Sequence, residues 1–74
     1  MTRYETIIEL GDKFVKLIGK GFVPVHLLDW KVYYEAYLEE KQVQKSKRQA
    51  VLTLMAKYPI SEKHLYQIIK FMEN

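Results

Sequence analysis

RQAVLTLMAKYPISEKHLYQIIKFM, residues 48–72, is the stretch that decides how this chain folds. Its apolar side chains recur every three or four residues, which is the spacing of a helix with one buried face. They fall into two groups: Val51, Leu54, Met55 and Tyr58, then Leu65, Ile68, Ile69 and Met72. Only Pro59-Ile60-Ser61 separates the groups, so the pattern predicts two amphipathic helices joined by a very tight turn.

The tight turn limits how these two helices can be arranged. Helices with so short a connection must cross at a steep angle, and that is the geometry of a helix-turn-helix motif. We expect Ile60 to fill the angle between the helices and Ser61 to cap the second one. Leu65 and Ile68 are expected to pack the second helix against the first. The motif would occupy about residues 48–73.

A helix longer than either of these two is predicted near the start of the chain. The spacing of Thr2 and Glu5 fits a capping box, in which the threonine oxygen accepts an amide hydrogen and the glutamate reaches back. A broad apolar face follows. Gly19 and Gly21 are expected to end this helix, because glycine accepts the left-handed conformation that closes a helix.

The middle of the chain predicts a second helix and the start of a third. The second begins near Pro24, whose fixed φ suits a first turn, and runs to about Gln44. Ser46 and Gln49 repeat the capping-box spacing and mark the start of the third helix, whether a kink or a loop precedes it. No repeat or linker divides the chain, so we expect a single all-α domain of four helices over residues 1–74.

Composition excludes several classes of protein. The 74 residues include no cysteine, so neither a disulfide scaffold nor a thiolate zinc site is possible. Acidic residues interrupt the apolar runs near the N-terminus, so we expect no signal peptide there. No apolar run approaches the roughly 18 residues that suggest a membrane span. We therefore expect a cytoplasmic protein with no membrane partner.

Charge is distributed unevenly along the chain. Residues 1–40 carry five basic and seven acidic side chains, a net charge of −2. Residues 41–74 carry seven basic and two acidic side chains, a net charge of +5. Basic charge therefore collects on the half that contains the predicted helix-turn-helix, where it favours a polyanionic partner. The alternative is an ordinary solvated helix face.

The segment from Ala50 to Lys70 resembles bacterial and phage helix-turn-helix DNA-binding proteins. Ala56-Lys57-Tyr58 precedes the turn, Ile60-Ser61 forms it, and Leu65-Tyr66 with Ile68-Ile69 fills the second helix. The segment departs from the pattern at Pro59, which stands where glycine is usual, and at Ala56, which lies about one position closer to the serine. The resemblance implies a small transcriptional regulator or a phage or mobile-element accessory factor that reads the major groove with its last helix.

If the resemblance holds, the polar face of the last helix is the surface that meets double-stranded DNA. Amide and ammonium groups early in such a helix can bond to base edges, and basic groups near the start of the preceding helix can meet phosphate. The expected base contacts are Lys63, His64 and Gln67, and the expected phosphate contacts are Lys45, Lys47, Arg48 and Lys70. Ordinary surface solvation is the alternative for each of them.

The second predicted helix is unusually aromatic, with Trp30, Tyr33, Tyr34 and Tyr37. Adjacent positions on a helix differ by ~100° in direction, so these rings cannot all point the same way. Most are expected in the core, while one or two exposed rings would suit a homodimer contact. Together with the acidic first half, this helix supports an alternative function, a helical protein-interaction module with no nucleic-acid role.

An enzyme is not expected. The two histidines, His26 and His64, lie in separate segments, and no nucleophile with a neighbouring base can be recognised. Glu35, Glu39 and Glu40 read as a solvated stripe without a histidine to complete a metal site. We expect no metal, no cofactor and no small-molecule substrate.

Overall fold

A computed structural model describes all 74 residues, and every regular element in it is an α-helix. The helices are α1 (Arg3–Leu10), α2 (Asp12–Gly19), α3 (His26–Gln44), α4 (Lys47–Lys57) and α5 (Glu62–Met72). The all-α prediction is confirmed. The predicted number of four helices is wrong, because the single helix expected at the start of the chain is two helices, α1 and α2.

Gly11 separates α1 from α2. Its φ of 56° and ψ of −126° lie outside helical geometry, in a region of backbone conformation that residues with a Cβ rarely adopt. The amide of Gly11 still donates to the carbonyls of Ile7 and Ile8, at 3.3 and 3.2 Å, and so closes α1 before the chain turns into α2. The apolar spacing continues across this break, which is why the pattern alone indicated one helix.

The capping box at the start of α1 is confirmed. Thr2 Oγ1 accepts a hydrogen bond from the amide of Glu5 at 3.1 Å, and Glu5 Oε1 accepts one from the amide of Thr2 at 3.0 Å. At the other end of this pair of helices, Gly21 has a φ of 82°. It therefore takes the left-handed conformation expected where the first helical region ends. The same expectation is wrong for Gly19, which is the last residue of α2 and has no positive φ.

A two-residue loop, not a kink, separates α3 from α4. Lys45 is left-handed, with a φ of 59°, and its amide donates to the carbonyl of Lys41 at 2.8 Å. Ser46 is extended and occupies the N-cap of α4, but its side chain accepts no capping hydrogen bond. The capping box predicted for Ser46 and Gln49 is therefore wrong, although the predicted position of the helix start is right.

Residues 58–61 connect α4 to α5. Tyr58 is extended, as a residue before proline tends to be, and Pro59 follows it. Ile60 is half-buried against the core. Ser61 Oγ accepts a hydrogen bond from the amide of His64 at 3.2 Å, which confirms the predicted cap of the last helix.

The core lies between α3, α4 and α5, and α1 also packs on α5. All four predicted apolar positions of α5 are buried: Leu65, Ile68, Ile69 and Met72. In the preceding group Val51 and Leu54 are buried and Met55 is half-buried, whereas Tyr58 is 37% exposed at the end of the helix. Helix α3 adds the buried rings of Tyr34 and Tyr37. No helix in the structure combines the length and apolar character needed to cross a membrane.

Candidate nucleic-acid interface

Helix α5 presents one polar stripe directly opposite its buried side. At ~100° per residue, the four buried side chains of α5 cluster around one direction, and Lys63, Gln67 and Lys70 point the opposite way. All three are exposed. Two ammonium groups and one amide therefore stand along the outer ridge of this helix, about one turn apart.

One flank of the ridge faces α3 and the start of α1. The ring of His64 meets Trp30 edge-on, with 5.8 Å between the ring centroids, and Phe71 meets the same tryptophan at 5.3 Å. The guanidinium carbon of Arg3 lies 4.5 Å from the centroid of the Phe71 ring. An open groove of about 370 Å³ runs along this flank, lined by Arg3, Trp30, Gln67, Lys70, Phe71 and Asn74.

The other flank faces the start of α4. Lys47 Nζ lies 5.6 Å from the centroid of the Tyr66 ring, so the lysine contacts the last helix. A second open groove, of about 450 Å³, is lined by Lys47, Tyr66, Lys70, Glu73 and Asn74. Lys70 lines both grooves, so it stands on the ridge between them.

Glu73 is the acidic member of this second groove. Its Oε2 accepts a hydrogen bond from the Tyr34 hydroxyl at 3.2 Å. The pKa of Tyr34 is raised above its ordinary value, mainly because the side chain is buried and secondly because the Glu73 carboxylate lies nearby. The hydrogen bond ties this carboxylate to α3.

The basic groups around α5 have no carboxylate partners. The protein has two ion pairs, Lys31 with Glu35 at 3.2 Å and Glu40 with Lys57 at 2.6 Å, and both lie elsewhere. The predicted contacts Lys45, Lys47, Arg48, Lys63 and Lys70 are all exposed, and none of them takes part in an ion pair. Their charges are therefore available to an anion in solution.

The structure brings some of the predicted contacts together and leaves others apart. Lys63, Gln67 and Lys70 share the ridge, and Lys47 lies beside it. His64 is exposed but lies on the flank, against Trp30. Lys45 closes α3, and Arg48 lies in the first turn of α4.

Arg3 is the basic residue of this surface that sequence reasoning missed. It is separated from Phe71 by 68 positions, yet its Nη1 donates to the Phe71 carbonyl at 3.4 Å. The capping box beside it marked where a helix starts but carried no information on what that helix packs against. Only the docking of α1 on α5 brings Arg3 to the groove.

The arrangement is suited to binding anions and polar edges. It offers hydrogen-bond donors along a ridge, and the structure contains no cluster of three or more histidine, cysteine, aspartate or glutamate side chains placed to hold a metal ion. His26, like His64, lies edge-on to Trp30, with 5.1 Å between the centroids.

Comparison with protein-family models, with curated proteins and with solved structures finds no match.

Proposed function

We propose that this protein binds double-stranded DNA, with the ridge of α5 in the major groove and α4 and α5 acting as a helix-turn-helix. The observation that carries the proposal is the exposed stripe of Lys63, Gln67 and Lys70, in which neither lysine has a carboxylate partner. The buried face opposite it holds the helix on the core, so the polar face is free to meet a ligand.

Each side chain of the ridge has a role that its chemistry allows. The Gln67 amide can bond to both N6 and N7 of an adenine, and the Lys63 ammonium can donate to a guanine edge. Lys70 and Lys47 lie at or beside the ridge and would neutralise phosphate, which positions a protein without selecting a sequence. His64, set against Trp30, is a secondary candidate for a base contact.

A single helix in the groove makes few contacts. Regulators of this kind gain affinity by binding paired half-sites as dimers, so we propose a homodimer on DNA. The function would be that of a transcriptional regulator or of an accessory factor of a phage or mobile element.

The proposal is tested by fluorescence anisotropy with a mixed-sequence duplex over a salt series. Four phosphate contacts, Lys45, Lys47, Arg48 and Lys70, predict that log K falls with log salt with a slope of about −3 to −4. A duplex that is not bound even at low salt would contradict DNA binding, because electrostatic attraction is strongest there.

The base contacts are tested on a sequence selected by the protein from a random pool. Gln67→Ala and Lys63→Ala should each weaken binding to that sequence by ~1–3 kcal/mol and leave binding to unrelated duplexes much less changed. Gln42→Ala and Lys20→Ala are the matched controls, since both side chains are exposed and lie outside the grooves of α5. If the ridge and control substitutions weakened binding equally, the base contacts could not be assigned to Lys63 and Gln67.

A protein-interaction module is the second candidate function, favoured by the exposed apolar side chains of the first three helices. Val15 is 57% exposed, Val32 is 58% exposed and Ile8 is 48% exposed. These side chains, and not the buried ring of Tyr37, would contact a protein partner. Absence of DNA binding together with a partner that protects Ile8 and Val15 from hydrogen exchange would favour this function.

A further inference from the structure

Arg3 is held in place by three contacts with the last turns of α5 and the residues after it. Its backbone amide donates to the carbonyl of Asn74 at 2.9 Å, and its Nη1 donates to the carbonyl of Phe71 at 3.4 Å. Its guanidinium lies over the Phe71 ring, 4.5 Å from the centroid. A long side chain that is exposed in solution is thereby kept beside the groove that Gln67 and Lys70 line.

These contacts leave most of the guanidinium available for a ligand. The group is planar and has five N–H donors around its edge. One Nη1 hydrogen is given to the Phe71 carbonyl, and the guanidinium makes no other hydrogen bond within the protein. Because the side chain is already ordered, binding an anion would cost less conformational entropy than it does for a free arginine.

Arg3 and Lys47 stand on opposite flanks of α5. Arg3 contacts Phe71 and Lys47 contacts Tyr66. These two helix positions are five residues apart, a rotation of ~140° about the helix axis at ~100° per residue. The ridge of Lys63, Gln67 and Lys70 falls within that arc, so a cationic group lies on each side of it.

A helix in a major groove has a phosphate backbone on each side. The groove is ~12 Å wide, and a helix with its side chains is ~10–12 Å across, so groups on both flanks come near the two strands at once. We infer that Arg3 is a phosphate contact, and that it and Lys47 bind separate phosphates on the two strands that border α5. The inference rests on the proposed function and adds to it a residue from the opposite end of the chain.

The experiment is the salt series on the mixed-sequence duplex, applied to four single variants and one double variant. Arg3→Gln removes the charge and keeps the backbone bond to Asn74, and Lys47→Gln does the same on the other flank. Lys20→Gln is the control, because it makes an equal change in net charge at an exposed site outside both grooves. The double variant combines Arg3→Gln with Lys47→Gln, and circular dichroism with thermal unfolding checks that each variant keeps its helices.

Each lost phosphate contact should lower the magnitude of the log–log slope by about 1. We expect that loss for Arg3→Gln and for Lys47→Gln, a loss of about 2 for the double variant, and no change for Lys20→Gln. Arg3→Lys, which keeps the charge but not the planar group, should restore the slope while leaving the affinity below that of the wild type.

The possible outcomes separate the inference from the proposed function. A wild-type protein that does not bind the duplex at low salt overturns both. A wild-type protein that binds, with Arg3→Gln matching Lys20→Gln, overturns the role of Arg3 and leaves the proposed function intact. A double variant that loses no more slope than either single variant overturns the assignment of two separate phosphates.

Discussion

Tyr37 is the residue whose environment is least well matched to its chemistry. Its side chain is fully buried, and its hydroxyl has no hydrogen-bond partner among the protein groups around it. Tyr4 and Tyr34, in contrast, donate to Glu35 and Glu73 at 2.9 and 3.2 Å. A buried polar group without a partner opposes folding, so the ring of Tyr37 stabilises the core and its oxygen does not.

Tyr37→Phe is therefore expected to stabilise the protein. Removing the unpaired hydroxyl while keeping the ring should raise the free energy of unfolding by about 1 kcal/mol. The matched control is Tyr34→Phe, which removes a hydroxyl that has a partner and should lower the free energy of unfolding by about 1 kcal/mol. Urea denaturation of the two variants measures both values. A loss of stability in Tyr37→Phe equal to that in Tyr34→Phe would show that the Tyr37 hydroxyl is satisfied.

At the scale of the elements, one glycine decides how many helices the chain has. Gly11 divides what would otherwise be a single helix, and its backbone has a positive φ, 56°. Gly19 is the last residue of α2 and has no positive φ. An added Cβ would meet nothing within 4 Å at either position, so backbone conformation alone distinguishes the two sites.

Substituting alanine at these two glycines should have opposite effects on stability. Gly11→Ala forces a residue with a Cβ into an unfavourable conformation and should cost ~1–3 kcal/mol. Gly19→Ala should be neutral or stabilise by up to ~1 kcal/mol, because alanine loses less backbone entropy when it becomes helical. Thermal unfolding followed by circular dichroism compares them. A neutral Gly11→Ala would mean that α1 and α2 can join into one helix without loss.

At the scale of the whole molecule, tyrosine–carboxylate bonds connect the helices. The bond from Tyr4 to Glu35 joins α1 to α3, and the bond from Tyr34 to Glu73 joins α3 to the end of α5. Burial, and then the hydrogen bond to Glu35, raises the pKa of Tyr4 to about 12. Burial, and then the charge of Glu73, raises the pKa values of Tyr34 and Tyr37 as well.

The raised tyrosine pKa values predict that the protein loses stability at alkaline pH. Above pH ~10 an unfolded tyrosine releases its proton while these three keep theirs, so the unfolded state binds fewer protons and unfolding becomes easier. Their contribution is fully present below pH ~10 and falls as the pH rises through the raised pKa values, about 12 for Tyr4, by at most ~1.4 kcal/mol per pH unit for each tyrosine. Urea denaturation at pH 9, 10.5 and 11.5 would follow this fall, and Tyr4→Phe should make it shallower. A free energy of unfolding that stays constant over that range would contradict the prediction.

The amino-acid sequence by itself determined the features that depend on near neighbours. The buried positions of α5, the capping box at Thr2 and the cap at Ser61 follow from side chains within a few residues of one another. Helical periodicity and capping hydrogen bonds act over that range, so a local pattern is enough to predict them. The polar ridge of α5 is the complement of its apolar stripe and could be recognised in the same way.

Only the tertiary structure decided which distant groups meet. Arg3 lies beside the ridge because α1 packs on α5, and His64 faces Trp30 because α3 lies along the same flank. The hydroxyl of Tyr37 is buried without a partner by the packing around it, which no spacing along α3 reveals. These contacts join residues far apart in the chain. Side-chain spacing specifies which face of a helix is buried but not which neighbouring helix covers it, so the contacts depend on how whole helices pack.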